Sequence, residues 1–313
     1  MGVGKRLNDQ LQPCYDEKRK GRVGMSRILV PIDFSAQSIQ AVRFALAYAK
    51  DKHELTLLHA IPPFPSRNVV RKLGQKSVED FQLDEAREDL KKFLTIVEES
   101  EVPYKLEIEF GEPHEVIAKH AKEDHAAIVM GTHGYGRMTG FLLQSVSYPT
   151  IHDVQIPVFL ISEETDASRF PWKKVLVTVD GSEHAKEAAK KAIHMSKEIE
   201  GISFTLLTVV TPPVAYAGVY GVGWEDTGTL EDWGRETIRP YEELFQSEEI
   251  PFESKVLIGD PATMIRETAK EEEIDLIVLG HHGLGGIAGT LLGSVTFKTI
   301  HRTQTPLLIV KTS

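Results

Sequence analysis

Apolar residues recur along this chain in two alternating patterns. Short continuous apolar runs are separated by stretches in which apolar residues return every third or fourth position. The runs predict buried strands and the stretches predict amphipathic helices. In the first half the predicted strands are Arg27–Asp33, Leu55–Ala60, Tyr104–Phe110, Ala126–Gly131 and Pro157–Ile161. In the second half they are Lys174–Val179, Phe204–Val210, Phe252–Ile258, 275–280 and Pro306–Val310. Ser182 can cap the helix after Lys174–Val179, and that helix places Ala185, Ala188, Ala189, Ala192, Ile193 and Ile199 on one face. Further helices are expected near 229–249, over Pro261–Glu272 and after Gly293. Five strands alternating with helices predict a parallel sheet covered on both faces. Right-handed crossovers make such a sheet doubly wound, with its ligand site at the carboxyl ends of the strands.

The same order occurs twice. Gly280-His-His-Gly283 is followed by nine residues and then Gly293-Ser294; Gly131-Thr-His-Gly134 is followed by nine residues and then Gln144-Ser145. The chain is a tandem duplication in which one copy has lost a glycine. We place the boundaries at a tail over 1–25, a first domain over 26–162, a polar linker over 163–171 and a second domain over 172–313. Two connections are longer than ordinary, 62–77 and 211–228; the latter is rich in Gly and aromatic residues, suited to a lid, a docking surface or a mobile loop. The final strands of the halves are apolar and expected at sheet edges, which invite pairing. The halves are expected to pair through them, and whole chains to form a homodimer.

Composition narrows the class. A length of 313 residues suits about two domains of roughly 150 residues. The net charge of −10 argues against a nucleic-acid surface, which needs a clustered basic face. No run approaches the ~18 apolar residues of a membrane span. The single cysteine, Cys14, rules out an internal disulfide and suits a reducing, cytoplasmic compartment. The first 24 residues are polar and basic without an apolar core, so they read as a disordered tail rather than a signal peptide, with Met25 as an alternative start.

The chemistry concentrates after the strands. The first strand of each half ends in Asp33-Phe-Ser35 or Asp180-Gly-Ser182. An Asp there can accept a hydrogen bond from adenine or ribose, or tie down the loop. Gly111-Glu112-Pro113 and Gly259-Asp260-Pro261 read as helix starts. A buried strand, a glycine-rich turn and Gly-Ser opening a helix make a phosphate site, because glycines admit an anion and helix N-termini offer unpaired N–H groups. His133, His281 and His282 suit phosphate contact better than a metal, since adjacent histidines are expected to diverge and no His-x3-His with a nearby acid exists. No protein metal ligand is assigned. There is no Walker motif and no Gly-x-Ser-x-Gly elbow. Gly283-Leu-Gly285-Gly-Ile-Ala288 has a dinucleotide spacing but follows the fourth strand instead of the first.

This pattern resembles the universal stress protein family. The Asp after strand one, Gly-Asp/Glu-Pro after strand three and Gly-x2-Gly-x9-Gly-Ser after strand four carry the resemblance, which covers nearly the whole chain. It implies two tandem open five-stranded parallel sheets of order 3-2-1-4-5 with helices on both faces, and, in one branch, ATP binding. Carried over by motif, adenine and ribose would lie near Thr178, Asp180, Val209 and Leu279, and Gly280, Gly283, Gly293, Ser294 and Val295 would hold ribose and phosphates. The first half matches at Pro31, Asp33, Ala60, Met130, Gly131, Gly134, Ser145 and Val146. It departs at Gln144, in the place of Gly293, and at Pro149, in the place of Lys298, a candidate counter-charge. ATP, with or without magnesium, is therefore expected mainly in the second half, in a regulatory or stress-adaptation role. The alternatives are a slow ATPase or adenylate hydrolase, and an interaction module that binds no nucleotide.

Overall fold

A computed structural model describes residues 25–50, 52–132, 146–212, 227–283 and 292–312. The tail with Cys14, the turn bearing His133, Gly134, Gln144 and Ser145, and residues 213–226 and 284–291 lie outside the described residues. The chain divides into two compact units, one ending at Phe170 and the other starting at Pro171.

The first unit runs β1 (Ser26–Pro31), α1 (Ala36–Ala49), β2 (His53–Ile61), α2 (Arg67–Leu73), α3 (Gln75–Glu98), β3 (Tyr104–Phe110), α4 (Pro113–His120), β4 (His125–Gly131), α5 (Ser147–Asp153) and β5 (Val158–Ile161). Its strands lie in the order β3-β2-β1-β4-β5, all parallel. The second unit runs β6 (Lys174–Thr178), α6 (Glu183–Glu198), β7 (Ser203–Val210), α7 (Thr227–Ser247), β8 (Phe252–Ile258), α8 (Pro261–Glu271), β9 (Leu276–Gly280), α9 (Ser294–Arg302) and β10 (Leu307–Val310). Its order is β8-β7-β6-β9-β10, again all parallel. Each unit therefore has the order 3-2-1-4-5, with its switch point between the first and fourth strands.

Helices cover both faces of each sheet. In the second unit α7 and α8 both pack on β7, while α9 packs on α8 and α6 on β9. The middles of the central strands are buried, which is why they read as apolar runs. Phe245 of α7 lies edge-on to Phe204 at 5.3 Å and to Phe252 at 5.8 Å, anchoring the helix on two strands. Burying such a side chain is worth about 1.5–3 kcal/mol.

Two segments differ from expectation. Residues 62–77, read as a long connection, contain α2 and the start of α3, separated by Gly74 in a left-handed conformation (φ +87°). Arg67–Leu73 has no buried residue, so it carries no apolar period to detect. Residues 163–171, read as a linker, hold a 3₁₀ turn over Ala167–Arg169 that Asp166 caps, and Phe170 lies edge-on to Tyr48 of α1 at 6.0 Å.

The first unit also buries charge. Alternation along β3 puts Lys105, Glu107 and Glu109 on one face. His120 of α4 is 1% exposed; its Nε2 lies 2.9 Å from Glu109 Oε2 and its Nδ1 3.3 Å from Glu107 Oε2. Lys105 and Lys119 close the rim at 2.5 Å from Glu107 and Glu109 respectively. Burial pushes the Glu109 carboxyl up, but the hydrogen bonds from Lys119 and His120 outweigh it and hold the group below its ordinary range.

Candidate functional site

The second unit's switch point gathers the residues named from sequence. β6 ends at Thr178, whose Oγ1 donates to the Val278 carbonyl at 3.4 Å. Asp180 then leaves the ladder, and its Oδ1 accepts from the Ser182 amide at 3.0 Å. Ser182 Oγ accepts from the Ala185 amide at 3.2 Å, capping α6, and donates to the His282 carbonyl at 3.3 Å. One serine thus caps a helix and ties the loop after β6 to the turn after β9. Gly181, between them, has φ +85°, a conformation that side chains disfavour. Tyr241 of α7 is buried and hydrogen-bonded to the Gly181 backbone. Burial, then the Asp180 charge, pushes its phenol up to about 12.

The turn's glycines are each in close contact. A Cβ on Gly280 would stand 2.8 Å from the His184 carbonyl carbon and 2.9 Å from the Ala185 nitrogen. A Cβ on Gly283 would fall on Asp180 Oδ2, so the carboxylate after β6 rests against the backbone of the turn after β9. Gly293 is the N-cap of α9; its amide donates to the His281 carbonyl at 3.1 Å, and a Cβ there would lie 3.1 Å from His282 Cα. Thr296 Oγ1 donates to the Gly280 carbonyl at 2.8 Å, fixing the helix start against the strand end. Ser294 is exposed and Val295 half-buried in the first turn of α9, where helix N–H groups lack helical partners. Val209, near the end of β7, is half-buried, and Leu279 is buried.

Three histidines stand beside this turn. His281 and His282 touch through their Nδ1 atoms, with ring centroids 4.2 Å apart. They were expected to diverge. The chain leaves the strand after Gly280, so strand alternation no longer separates the two rings. The His184 ring lies 5.9 Å from His281 and 5.7 Å from His282, and its Nδ1 accepts from the Thr312 amide at 3.1 Å. Burial, then repulsion from His282 and Lys311, lowers the His184 pKa against the pull of Asp180. Among the described residues no group of His, Cys, Asp and Glu has a metal-holding arrangement.

Lys298 is turned elsewhere. Its Nζ lies 3.4 Å from Asp260 Oδ2, and Arg302 Nη1 lies 2.7 Å from Oδ1 of the same carboxylate. Asp260 caps α8 by accepting from the Thr263 amide at 3.1 Å, with Pro261 in the first turn, the expected helix start. The Thr263 hydroxyl, foremost, and Lys298 hold the Asp260 carboxyl down at about 2.

The first unit has the same frame with different filling. Asp33 Oδ1 accepts from the Ser35 amide at 3.1 Å and its hydroxyl at 2.7 Å. Phe34 stands where the second unit has Gly181, at φ +64°, with its ring 4.5 Å from His59 and 5.4 Å from Phe93. His59 Nδ1 donates to the Ile32 carbonyl at 2.9 Å, and burial lowers its pKa. Pro31 and Gly131 end β1 and β4, Ala60 is half-buried in β2, Met130 is buried, and Val146 precedes α5. Pro149 is in the first turn of α5, where its missing N–H costs no helical bond. Ser147 Oγ donates to the Thr132 carbonyl at 2.9 Å, the counterpart of Thr296. Gly134, Ser145 and Gln144 lie outside the described residues.

Sequence reasoning missed Thr296, Tyr241 and His184. For Thr296 the repeat held a signal, a hydroxyl two residues after the serine in both copies. Tyr241 and His184 reach the site from helices whose period reports only which face is buried.

Among known proteins, the profile of the universal stress protein family matches residues 25–162 and again 171–311. A universal stress protein of Mycolicibacterium smegmatis is 27% identical over 312 residues, covering 91% of this chain and 96% of the relative. Another, of Mycobacterium tuberculosis, is 29% identical over 300 residues with the same coverage of each chain, 91% and 96%. The crystal structure of a universal stress protein from Archaeoglobus fulgidus has the same fold, with a TM-score of 0.68 at 23% identity over 91% of this chain and 96% of that one.

Proposed function

The chain belongs to the universal stress protein family, in tandem form, and from that premise we propose that its second unit binds an adenine nucleotide, ATP above others, in a regulatory role. The observation that carries this reading is the contact between Asp180 and the Gly283 backbone. It joins the acid suited to a nucleoside to the turn suited to phosphates, at the switch point where doubly wound sheets take ligands. The first turn of α9, which opens at the exposed Ser294, would supply N–H groups to the phosphates. Magnesium would arrive with the phosphates. The first unit is the weaker partner, because Phe34 fills with an aromatic ring the place that Gly181 leaves open. A cytoplasmic location, which the single cysteine favours, and a homodimer belong to the same reading.

Titration calorimetry with ATP and with adenosine tests it. We expect about one strong ATP site per chain. Asp180→Ala should weaken both ligands, because that side chain holds the nucleoside end. Ser294→Ala should weaken ATP alone, by about 1 kcal/mol for one lost hydrogen bond. Gly293→Val is a poorer probe, because the new side chain would press on His282 whatever is bound. An absence of ATP binding by the folded protein would refute the reading.

A further inference from the structure

Two of the three imidazoles at the second unit's turn have no counterpart in the first copy. His184 and His281 stand where the first copy has Gln37 and Thr132. The His281–His282 contact through two Nδ1 atoms requires one proton between them, with one ring donating and the other accepting. The donating ring can add one proton at its Nε2 without breaking that contact. A second would set two N–H groups against each other. While that contact stays intact the pair can therefore hold one added proton at most.

We propose that His184, His281 and His282 make the second unit's site proton-linked, so that a phosphate-bearing ligand is bound together with a proton. This rests on the nucleotide reading above and goes beyond it to how the site is regulated. The pair is placed for the task. The Gly293 amide holds the His281 carbonyl, and Ser182 holds the His282 carbonyl, so both rings are fixed to the turn and to the start of α9. The charged and titratable groups around them are Asp180 and Tyr241 on the side of β6, Glu183 and His184 at the start of α6, and Lys311 after β10. Lys298 of α9 is engaged with Asp260, and residues 284–291 contain no ionisable side chain. Phosphate charge arriving at this turn favours the protonated form of the imidazoles. Conversely, protonation of the imidazoles strengthens phosphate binding. Burial, then repulsion from His282 and Lys311, lowers the His184 pKa, and phosphate charge beside the ring acts the opposite way.

The test is calorimetry on the full chain, with ATP and adenosine, from about pH 6 to 8, where imidazoles titrate, in two buffers of different ionisation enthalpy. The comparison protein carries His184→Gln with His281→Thr, the residues of the first copy. The terminal phosphate of ATP titrates in the same range, but it does so equally with both proteins and cancels in the difference. The natural protein is expected to take up about 0.5–1 proton more than the variant on binding ATP, its relative affinity falling up to about tenfold per pH unit as pH rises. Adenosine should show no such difference. Should the double variant unfold, His184→Gln alone, with the two-buffer heats of the natural protein for ATP against adenosine, decides the matter. Equal proton uptake and equal pH dependence in natural and variant proteins would overturn the proposal and leave the nucleotide reading standing. No ATP binding in either protein would remove both.

Discussion

His120→Leu isolates the buried charge cluster of the first unit. The substitution keeps an apolar volume in place and removes the ring that lies 2.9 Å from Glu109 and 3.3 Å from Glu107. Both carboxylates are then left with one lysine each, at the rim. The lower bound on the cost is one hydrogen bond to a charged group, about 1.5–3 kcal/mol. The upper bound is removal of one partner from a buried ion pair, about 3–5 kcal/mol. The half-exposed Lys119 and Lys105 still cover part of the charge, so we expect a loss of about 2–4 kcal/mol, between those bounds. The assay exploits an asymmetry of composition. All three tryptophans, Trp172, Trp224 and Trp233, follow Phe170. Fluorescence therefore reports the second unit, while far-ultraviolet circular dichroism reports both. In urea the dichroism transition of the first unit should move down by about 1–2 M, at a slope of about 2 kcal/mol per molar, while the fluorescence midpoint stays. With Glu107→Gln and Glu109→Gln already present, the same substitution should cost about 1 kcal/mol, the difference being the coupling between ring and carboxylates. A His120→Leu protein whose dichroism midpoint matches the parent's would refute the reasoning, because no buried charge would then depend on that ring.

Three further outcomes are expected. Gly280→Ala and Gly283→Ala should each destabilise the second unit by about 1–3 kcal/mol through overpacking, and Gly293→Ala by less; fluorescence-detected urea unfolding ranks them. A spectrophotometric titration should find one tyrosine near 12, abolished by Tyr241→Phe. The folded pKa is raised, so Tyr241 contributes stability that is present below about 10 and is lost as pH climbs toward 12. Asp260 has the opposite sign: its carboxyl is depressed from 3.8 to about 2, so its contribution is complete above 3.8 and fades as pH falls toward 2. Acid titration of the second unit should lose that increment in Asp260→Asn. The increment is small, because the group is solvated.

The frame was legible because it depends on local rules. Apolar runs are strands here since nearly every strand is covered on both faces, and Tyr104–Phe110 and Phe252–Ile258 were placed to the residue. Asp180 and Asp33 were visible because an acid two residues before a serine has only a few local uses, and the turn-tying use is present in both units. What escaped depends on contact between distant elements. Tyr241 meets Gly181, and His184 meets His281, only once helices are docked on the sheet. The burial of Glu107 and Glu109 was invisible for the same reason. An alternating acid reads as the wet face of a strand until a histidine from the next helix is laid over it. α2 escaped for a different reason, since a helix with no buried side chain has no period to read.

The spacing around the turn bears on how such a duplicate drifts. Side chains at Gly280 and Gly283 would press hard on a backbone and on a carboxylate, whereas at Gly293 the neighbours would need to yield by only a few tenths of an ångström. In the first copy the counterparts of the two tighter glycines, Gly131 and Gly134, persist, and the counterpart of the third has become Gln144. The one difference falls at the position with the greatest steric tolerance of the three. The two tighter glycines thus serve the assembly of the turn whether or not it holds a cargo. A copy that had ceased to hold a ligand would keep the first two glycines for as long as it folded. Ser294, exposed at the start of α9, is under no such steric demand.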